Sequence, residues 1–247
     1  MPTHYDTNQE QAVVEVDAAA EAVPPLRHGD HLTREEFERR YEAMPHLKKA
    51  ELIEGVVYMP SPVYILSHAE PHGRISTWLG IYDAYTPGLD VADNGSLRLG
   101  KGENEVQPDV MLYLTQGGNT HLNEKGYLEG APELAAEVAA SSTRYDRVLK
   151  RQLYERSGVR EYLLWRTADE RVDWWALQEG SYVALPANEQ GIIASRVFPG
   201  LWLDVPALLA DDMPRVLATL QQGLATPEHA AFVERLNAGP EGTAREG

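Results

Sequence analysis

Glu137 is the residue that most limits how this chain can fold. It stands in "PELAAEVAASS", residues 132–142, a run of small apolar residues with the look of a strand. A carboxylate is costly to bury unpaired, so it must face water or meet a partner that replaces its lost hydration. The rest of the sequence has to supply that partner.

Length sets the scale for the search. At 247 residues the chain can bury a substantial core as one domain. We expect an acidic, disordered tail over residues 1–30, a single domain over 31–212, and a C-terminal helix with a flexible tail over 213–247. There is no cysteine, which excludes disulfides and thiolate metal sites. No apolar run approaches the length of a membrane span, and the acidic N-terminus lacks the basic flank of a signal peptide, so a cytoplasmic protein is the expectation.

The net charge of -16 argues against broad, nonspecific nucleic-acid binding, which draws on clustered Lys and Arg. The charge is uneven, however. The two ends of the chain carry nine of those sixteen negative charges, whereas the sign reverses between Arg144 and Arg160. There Arg144, Arg147, Lys150, Arg151, Arg156 and Arg160 stand against Asp146 and Glu155. By charge alone this is an exposed helix face.

Several elements can be read from the pattern. Thr33 and Glu36 have capping-box spacing ahead of a short helix, and "ELIEGVVYMP" reads as one strand. Ser67 and Glu70 repeat that spacing before a helix whose Ile75, Trp78, Leu79 and Tyr82 form one buried face. "SLRLG" and "PDVMLYL" read as strands, the first preceded by an Asn94-Gly95 turn. After the Glu137 strand, "TRYDRVLKRQLYERSG" is a helix ended by Gly158. "REYLLWR", "RVDWWAL" and "SYVALP" are strands, the last two joined by a tight turn. A helix follows that Pro214 should break or kink, and the last twenty or so residues look poorly ordered. The order predicts an α/β (α+β) fold with a mixed sheet, and no dinucleotide or P-loop fingerprint is present.

Asp109 is the natural partner for Glu137. If "PDVMLYL" and "ELAAEVAA" are neighbouring strands, both carboxylates can project to one side. They would raise each other's pKa unless a cation sat between them, and hard oxygen ligands of this kind suit Mg²⁺. Asp146, Lys150 and Tyr154, spaced four apart, lie along one helical stripe that could bring the Lys150 ammonium to the pair. Bland readings stand beside these: Asp109 capping a turn, Glu137 facing water, Lys150 in an ordinary salt bridge with Asp146.

"AELIEGVVYMPSP", His68, "PDVMLYL", "PELAAEVAASS" and "YDRVLKRQLYERSGVREYLLW" occur in the order typical of a known family. Over roughly residues 33–209 the chain resembles the Uma-two family of putative restriction endonucleases, a branch of the PD-(D/E)XK nuclease superfamily. The resemblance implies a restriction-endonuclease-like mixed sheet flanked by helices, here with an additional β meander. It implies an Mg²⁺- or Mn²⁺-dependent endonuclease that hydrolyses DNA. Asp109 and Glu137 would be metal ligands, the Val138 carbonyl a third, and Glu54 the acid ahead of the core. His68 looks like the family's histidine; His72 could suggest a zinc pair with it, but Pro71 and the lack of a third ligand argue against that.

The chain departs from the superfamily pattern in one place. Its strand reads Glu137-Val138-Ala139, so the usual lysine is missing there and Lys150 looks like its migrated replacement, held by Asp146 on a stripe with Tyr154. "EVAASS" also differs from the Ser and Pro that often follow in the family. Arg144, Arg147 and Arg151 would meet the DNA backbone, and paired sites on a duplex suggest a homodimer. Two other readings are a noncatalytic interaction protein with the same fold and a metal-dependent hydrolase of a smaller phosphoester.

Overall fold

The computed structural model describes residues 23–59, 64–100, 102–140 and 145–239, with residues 145–147 described by their backbone alone. The chain enters through α1 (Arg34–Glu42) and a hairpin of β1 (Glu51–Ile53) and β2 (Val56–Tyr58). After a π-helical turn, Ile65–Ala69, come α2 (Glu70–Ala84), β3 (Leu89–Asp93), β4 (Leu97–Leu99) and β5 (Asn104–Val106). Next are β6 (Val110–Leu114), β7 (His121–Leu122), β8 (Leu128–Glu129) and β9 (Leu134–Ala139). A second π-helical turn, Tyr145–Lys150, runs into α3 (Arg151–Ser157). β10 (Glu161–Arg166), β11 (Arg171–Gln178) and β12 (Ser181–Ala184) form the meander. β13 (Ile192–Ala194), β14 (Trp202–Asp204), α4 (Val205–Leu209), α5 (Met213–Leu224) and α6 (Pro227–Ala238) complete the chain.

Among the described residues these strands make two six-stranded sheets and a two-stranded ribbon. The first sheet runs β12-β11-β10-β9-β6-β3 and is mixed, since β9 pairs parallel with β10 and antiparallel with β6. The second runs β2-β1-β5-β4-β8-β7. Each face of the first sheet has its own core. On one side Ile75, Trp78, Leu79 and Tyr82 of α2 pack on Val110, Leu112, Ala136 and Val138, with α4, α5 and α6 closing the layer. On the other, Ala135, Ala139, Tyr162 and Leu164 meet Ile53, Leu97, Leu99 and Val106 of the second sheet, together with Tyr154 of α3. Every residue of β9 is therefore buried.

Local chemistry explains most of the boundaries. Thr33 Oγ1 accepts from the Glu36 N–H, and Gly158 ends α3 at φ 86°. Pro214 separates α4 from α5 by occupying the first turn of α5, where its missing N–H costs nothing. Other expectations are corrected. "ELIEGVVYMP" is a hairpin and not one strand, because Glu54 and Gly55 both adopt positive φ and turn the chain back. Ser67 caps nothing; it lies inside the π-helical turn, where its carbonyl accepts from the Thr167 hydroxyl at 2.7 Å. Residues expected to be disordered near the C-terminus form α6, anchored by buried Phe232 and His229. The strands β3, β5, β7, β8, β13 and β14 have no counterpart among the elements read from the sequence.

Candidate active site

The pairing of β6 with β9 places the two acids. Val110 pairs with Ala136, and one further step in that antiparallel register sets Asp109 opposite Glu137. The strand begins at Val110, one residue later than the sequence predicts, yet Asp109 remains tied to β9 because its Oδ2 accepts from the Val138 N–H at 2.8 Å. Asp109 and Glu137 are 2% and 3% exposed, so neither faces water.

Cations compensate both. Lys49 Nζ lies 3.0 Å from Asp109 Oδ1, and His68 Nε2 lies 3.3 Å from Oδ2. Lys150 Nζ lies 2.7 Å from Glu137 Oε1, and the Tyr154 hydroxyl donates to the same oxygen at 2.7 Å. Lys150 also bridges to Glu51 Oε1 at 3.0 Å, and that oxygen accepts the Gln107 N–H at 2.8 Å. Glu51 opens β1 in the second sheet, so the cluster ties the two sheets together. The π-helical turn ahead of α3 ends at Lys150, and the one ahead of α2 carries His68. Irregular turns of this type aim side chains that a regular helix would carry elsewhere.

The same contacts separate the two acids electrostatically. Burial pushes the Asp109 carboxyl up, but the His68 hydrogen bond and the charges of Lys49 and Lys150 outweigh it and hold the group well below the usual carboxylate range. Glu137 moves the other way, to about 7: burial dominates, and Asp109 and Glu51 add to it against the opposing pull of Lys150 and Lys49. His68 is raised, chiefly by its hydrogen bond to Asp109. The two neighbouring acids are therefore pushed in opposite directions by their surroundings.

Of the residues singled out in the sequence, Asp109, Glu137, Lys150, Tyr154 and His68 come together, while Val138 contributes its N–H to Asp109 and buries its side chain in the α2-side core. Glu54 does not join them. It sits exposed at the tip of the β1–β2 turn, paired with Arg156, and Glu51, three residues earlier, is the acid of that motif that enters the cluster. Arg151 lies beside Lys150, its guanidinium 4.9 Å from the Trp175 ring centroid. Arg144 and the side chains of Asp146 and Arg147 lie outside the described residues.

Sequence reasoning missed Lys49 and Glu51. The short turn Glu54-Gly55 between two apolar triplets was the available signal for Glu51, since a hairpin there excludes Glu54 from the core. Nothing local marks Lys49. His72 has an unexpected place: its Nε2 lies 3.0 Å from both the Asp109 carbonyl and Asp93 Oδ2. Both are acceptors, so Nε2 carries the proton.

Among the described residues, no three His, Asp or Glu groups are arranged to hold a metal ion. The donor types nonetheless suit a hard divalent cation: buried carboxylates on adjacent strands, with a third on β1. Their negative charge is offset in part by the ammonium groups of Lys49 and Lys150. Asp109, Glu137 and Glu51 are the groups that would hold such an ion.

The profile of the Uma2 family, described as "Putative restriction endonuclease", matches residues 34–206. Among solved structures, the chain resembles that of a putative nuclease belonging to DUF820 from Anabaena variabilis, at 14% identity and a TM-score of 0.55, over 72% of this chain and 98% of that one. That likeness is one of fold. No curated protein matches the chain.

Proposed function

Because the chain belongs to the Uma2 family of putative restriction endonucleases, we propose that it is an endonuclease that hydrolyses DNA phosphodiester bonds with Mg²⁺ or Mn²⁺. The observation that carries this reading is the buried cluster itself: Glu137 and Glu51, from two sheets, meet on Lys150, and Asp109, opposite Glu137, is held by Lys49 and His68. A structural core has no need of three carboxylates around two lysines, because apolar residues of similar volume would be as stable or more so.

A bound divalent cation would supply Lewis acidity to the phosphoryl oxygens and lower the pKa of a bound water. The chain's own groups do the rest. Lys150, fixed by Glu137 and Glu51, orients the attacking water and offsets charge gathering on phosphorus. Tyr154 holds Glu137 in place from the other side. As the water oxygen bonds to phosphorus, its proton passes to solvent water, since Glu137, one of the groups that would hold the ion, is not free to take it. The opposite P–O bond breaks and the departing oxygen takes a proton from solvent water, leaving a phosphomonoester end and a hydroxyl end. His68 and Lys49 keep Asp109 ionised throughout. Arg144, Arg147 and Arg151 would lie along the DNA backbone, and two copies related by a twofold axis would place two such sites on a duplex.

One observation favours a second reading, a noncatalytic nuclease-fold protein: both oxygens of Asp109 already have protein partners. Incubating purified protein with plasmid and single-stranded DNA in Mg²⁺, Mn²⁺ or EDTA separates the two. Metal-dependent cleavage lost in Asp109→Asn and Lys150→Ala supports the enzyme. Equal inertness of wild type and both variants supports the binding protein.

A further inference from the structure

On the same sheet face as Glu137, one and two strands away, lies a second charged pocket. It is lined by Arg151, Leu164, Arg166, Arg171, Asp173 and Trp175 and encloses about 230 Å³. Leu164 is the parallel-register partner of Glu137, and Asp173 pairs with Leu164 across β10 and β11. Neighbouring strands lie about 5 Å apart, so the pocket is roughly 5–10 Å from Glu137.

Its arginines are held in place before any ligand arrives. Asp173 accepts from Arg171 Nε at 2.7 Å and lies 2.9 Å from Arg166 Nε without hydrogen-bond geometry, and Asp169 takes Arg166 through its other arm at 2.7 Å. Arg151 has a different support. Its guanidinium lies over Trp175, which stacks at 18° on Tyr162, which in turn stacks at 26° on Tyr182. The buried Nε of Arg151 has no hydrogen-bond partner among the described residues. Three guanidinium groups thus face one lining carboxylate, on a chain whose net charge is -16.

We infer that this pocket binds a phosphodiester group of the nucleic-acid strand next to the one being cleaved. An arginine fork matches the two oxygens of a phosphodiester, and stacking on Trp175 removes much of the rotamer freedom that Arg151 would otherwise lose on binding. Trp175 is already engaged by Arg151 and Tyr162, so the site favours a phosphate over a stacked base. The assignment rests on the DNA-hydrolase reading above and adds to it where the strand runs: from the Glu137 cluster across β10 to β11.

The test is equilibrium binding of a fluorescent oligonucleotide in EDTA, where no cleavage occurs, at salt concentrations from about 50 to 200 mM. Arg171 is 64% exposed at its side chain, so Arg171→Ala keeps the fold. Arg171→Ala and Arg151→Ala should each weaken binding about tenfold and lower the salt slope by about one. Arg151→Lys should restore the slope but only part of the affinity, since an ammonium neither stacks nor forks. Arg196→Ala, an equal loss of charge at an exposed position, should leave the slope as in wild type. Unchanged slopes in the pocket variants, or the same drop in Arg196→Ala, would overturn the inference while leaving the nuclease reading intact. No affinity of wild type for DNA, or affinity for inorganic phosphate alone, would remove the strand assignment, and metal-dependent plasmid cleavage then decides separately whether the nuclease reading survives.

Discussion

Lys150 Nζ stands 2.7 Å from Glu137 Oε1, and both side chains are almost wholly out of water, at 2% and 4% exposure. Such a pair contributes little net stability when intact, yet removing one partner strands a charge in the interior. Lys150→Met should therefore cost about 3 kcal/mol in urea unfolding. Adding Glu137→Gln should recover part of that loss. A double variant no more stable than Lys150→Met alone would mean that the pair is not the source of the effect.

Glu51 and Glu54 make opposite predictions from one short motif. Glu51 touches Lys150 from inside the cluster, whereas Glu54 meets Arg156 in solvent. DNA cleavage by Glu51→Gln should fall about 10- to 100-fold, as for residues that orient a reacting group. Glu54→Gln should cleave as wild type does, because exposed pairs carry little energy. Reversed sensitivities in a plasmid-nicking assay would restore Glu54 to the site.

His68 links the site to pH. Its pKa is raised above the ordinary 6.5, first by the hydrogen bond to Asp109, against the opposing effect of burial. The folded state therefore holds this proton more tightly than the unfolded chain, and the contribution is full below pH 6.5 and lost as pH rises through the folded pKa. Comparing urea midpoints of wild type and His68→Gln across neutral and alkaline pH should show the wild-type advantage shrinking on the alkaline side. An advantage that grows with pH would contradict the His68–Asp109 pairing.

Two glycines in helices should respond with opposite signs. A Cβ on Gly223 in α5 would come 2.1 Å from the carbonyl oxygen of Gly200, so Gly223→Ala must push α5 off the segment that leads into β14. Overpacking of this kind costs about 1–3 kcal/mol. Around Gly80 in α2 a Cβ would meet nothing within 4 Å. Gly80→Ala should stabilise by about 0.4–1 kcal/mol through the unfolded state. Thermal melting of the two variants reads both signs directly.

Glu161 offers a test of the fold apart from the site. Its carboxylate accepts from the Ser195 hydroxyl, the Arg196 and Val197 N–H groups and Trp174 Nε1, which ties β10 to the segment ahead of β14. Glu161→Ala leaves those donors without their acceptor, at about 1–3 kcal/mol for each that stays buried. Denaturation should show a loss of about 3 kcal/mol or more, and a near-neutral variant would mean that water reaches the donors.

The sequence by itself determined the elements whose cues are local. The apolar period of Ile75, Trp78, Leu79 and Tyr82 specified the buried face of α2, Gly158 the end of α3, and Glu179-Gly180 the turn between β11 and β12. It also pointed to Asp109, Glu137 and Lys150, because an acid in an apolar strand demands compensation wherever that strand lies. Tertiary structure alone decided which groups provide it. Lys49 and Glu51 reach their partners in the cluster from across 60 and 99 residues of chain, through sheet packing that no local period encodes. Glu54 dropped out for a similar reason, since a two-residue turn with positive φ, and not the strand pattern around it, decides which side chains face inward. Burial then set the charges: Lys49 and Lys150 act on both acids, but the His68 hydrogen bond holds Asp109 ionised, whereas burial and the neighbouring carboxylates Asp109 and Glu51 push Glu137 up.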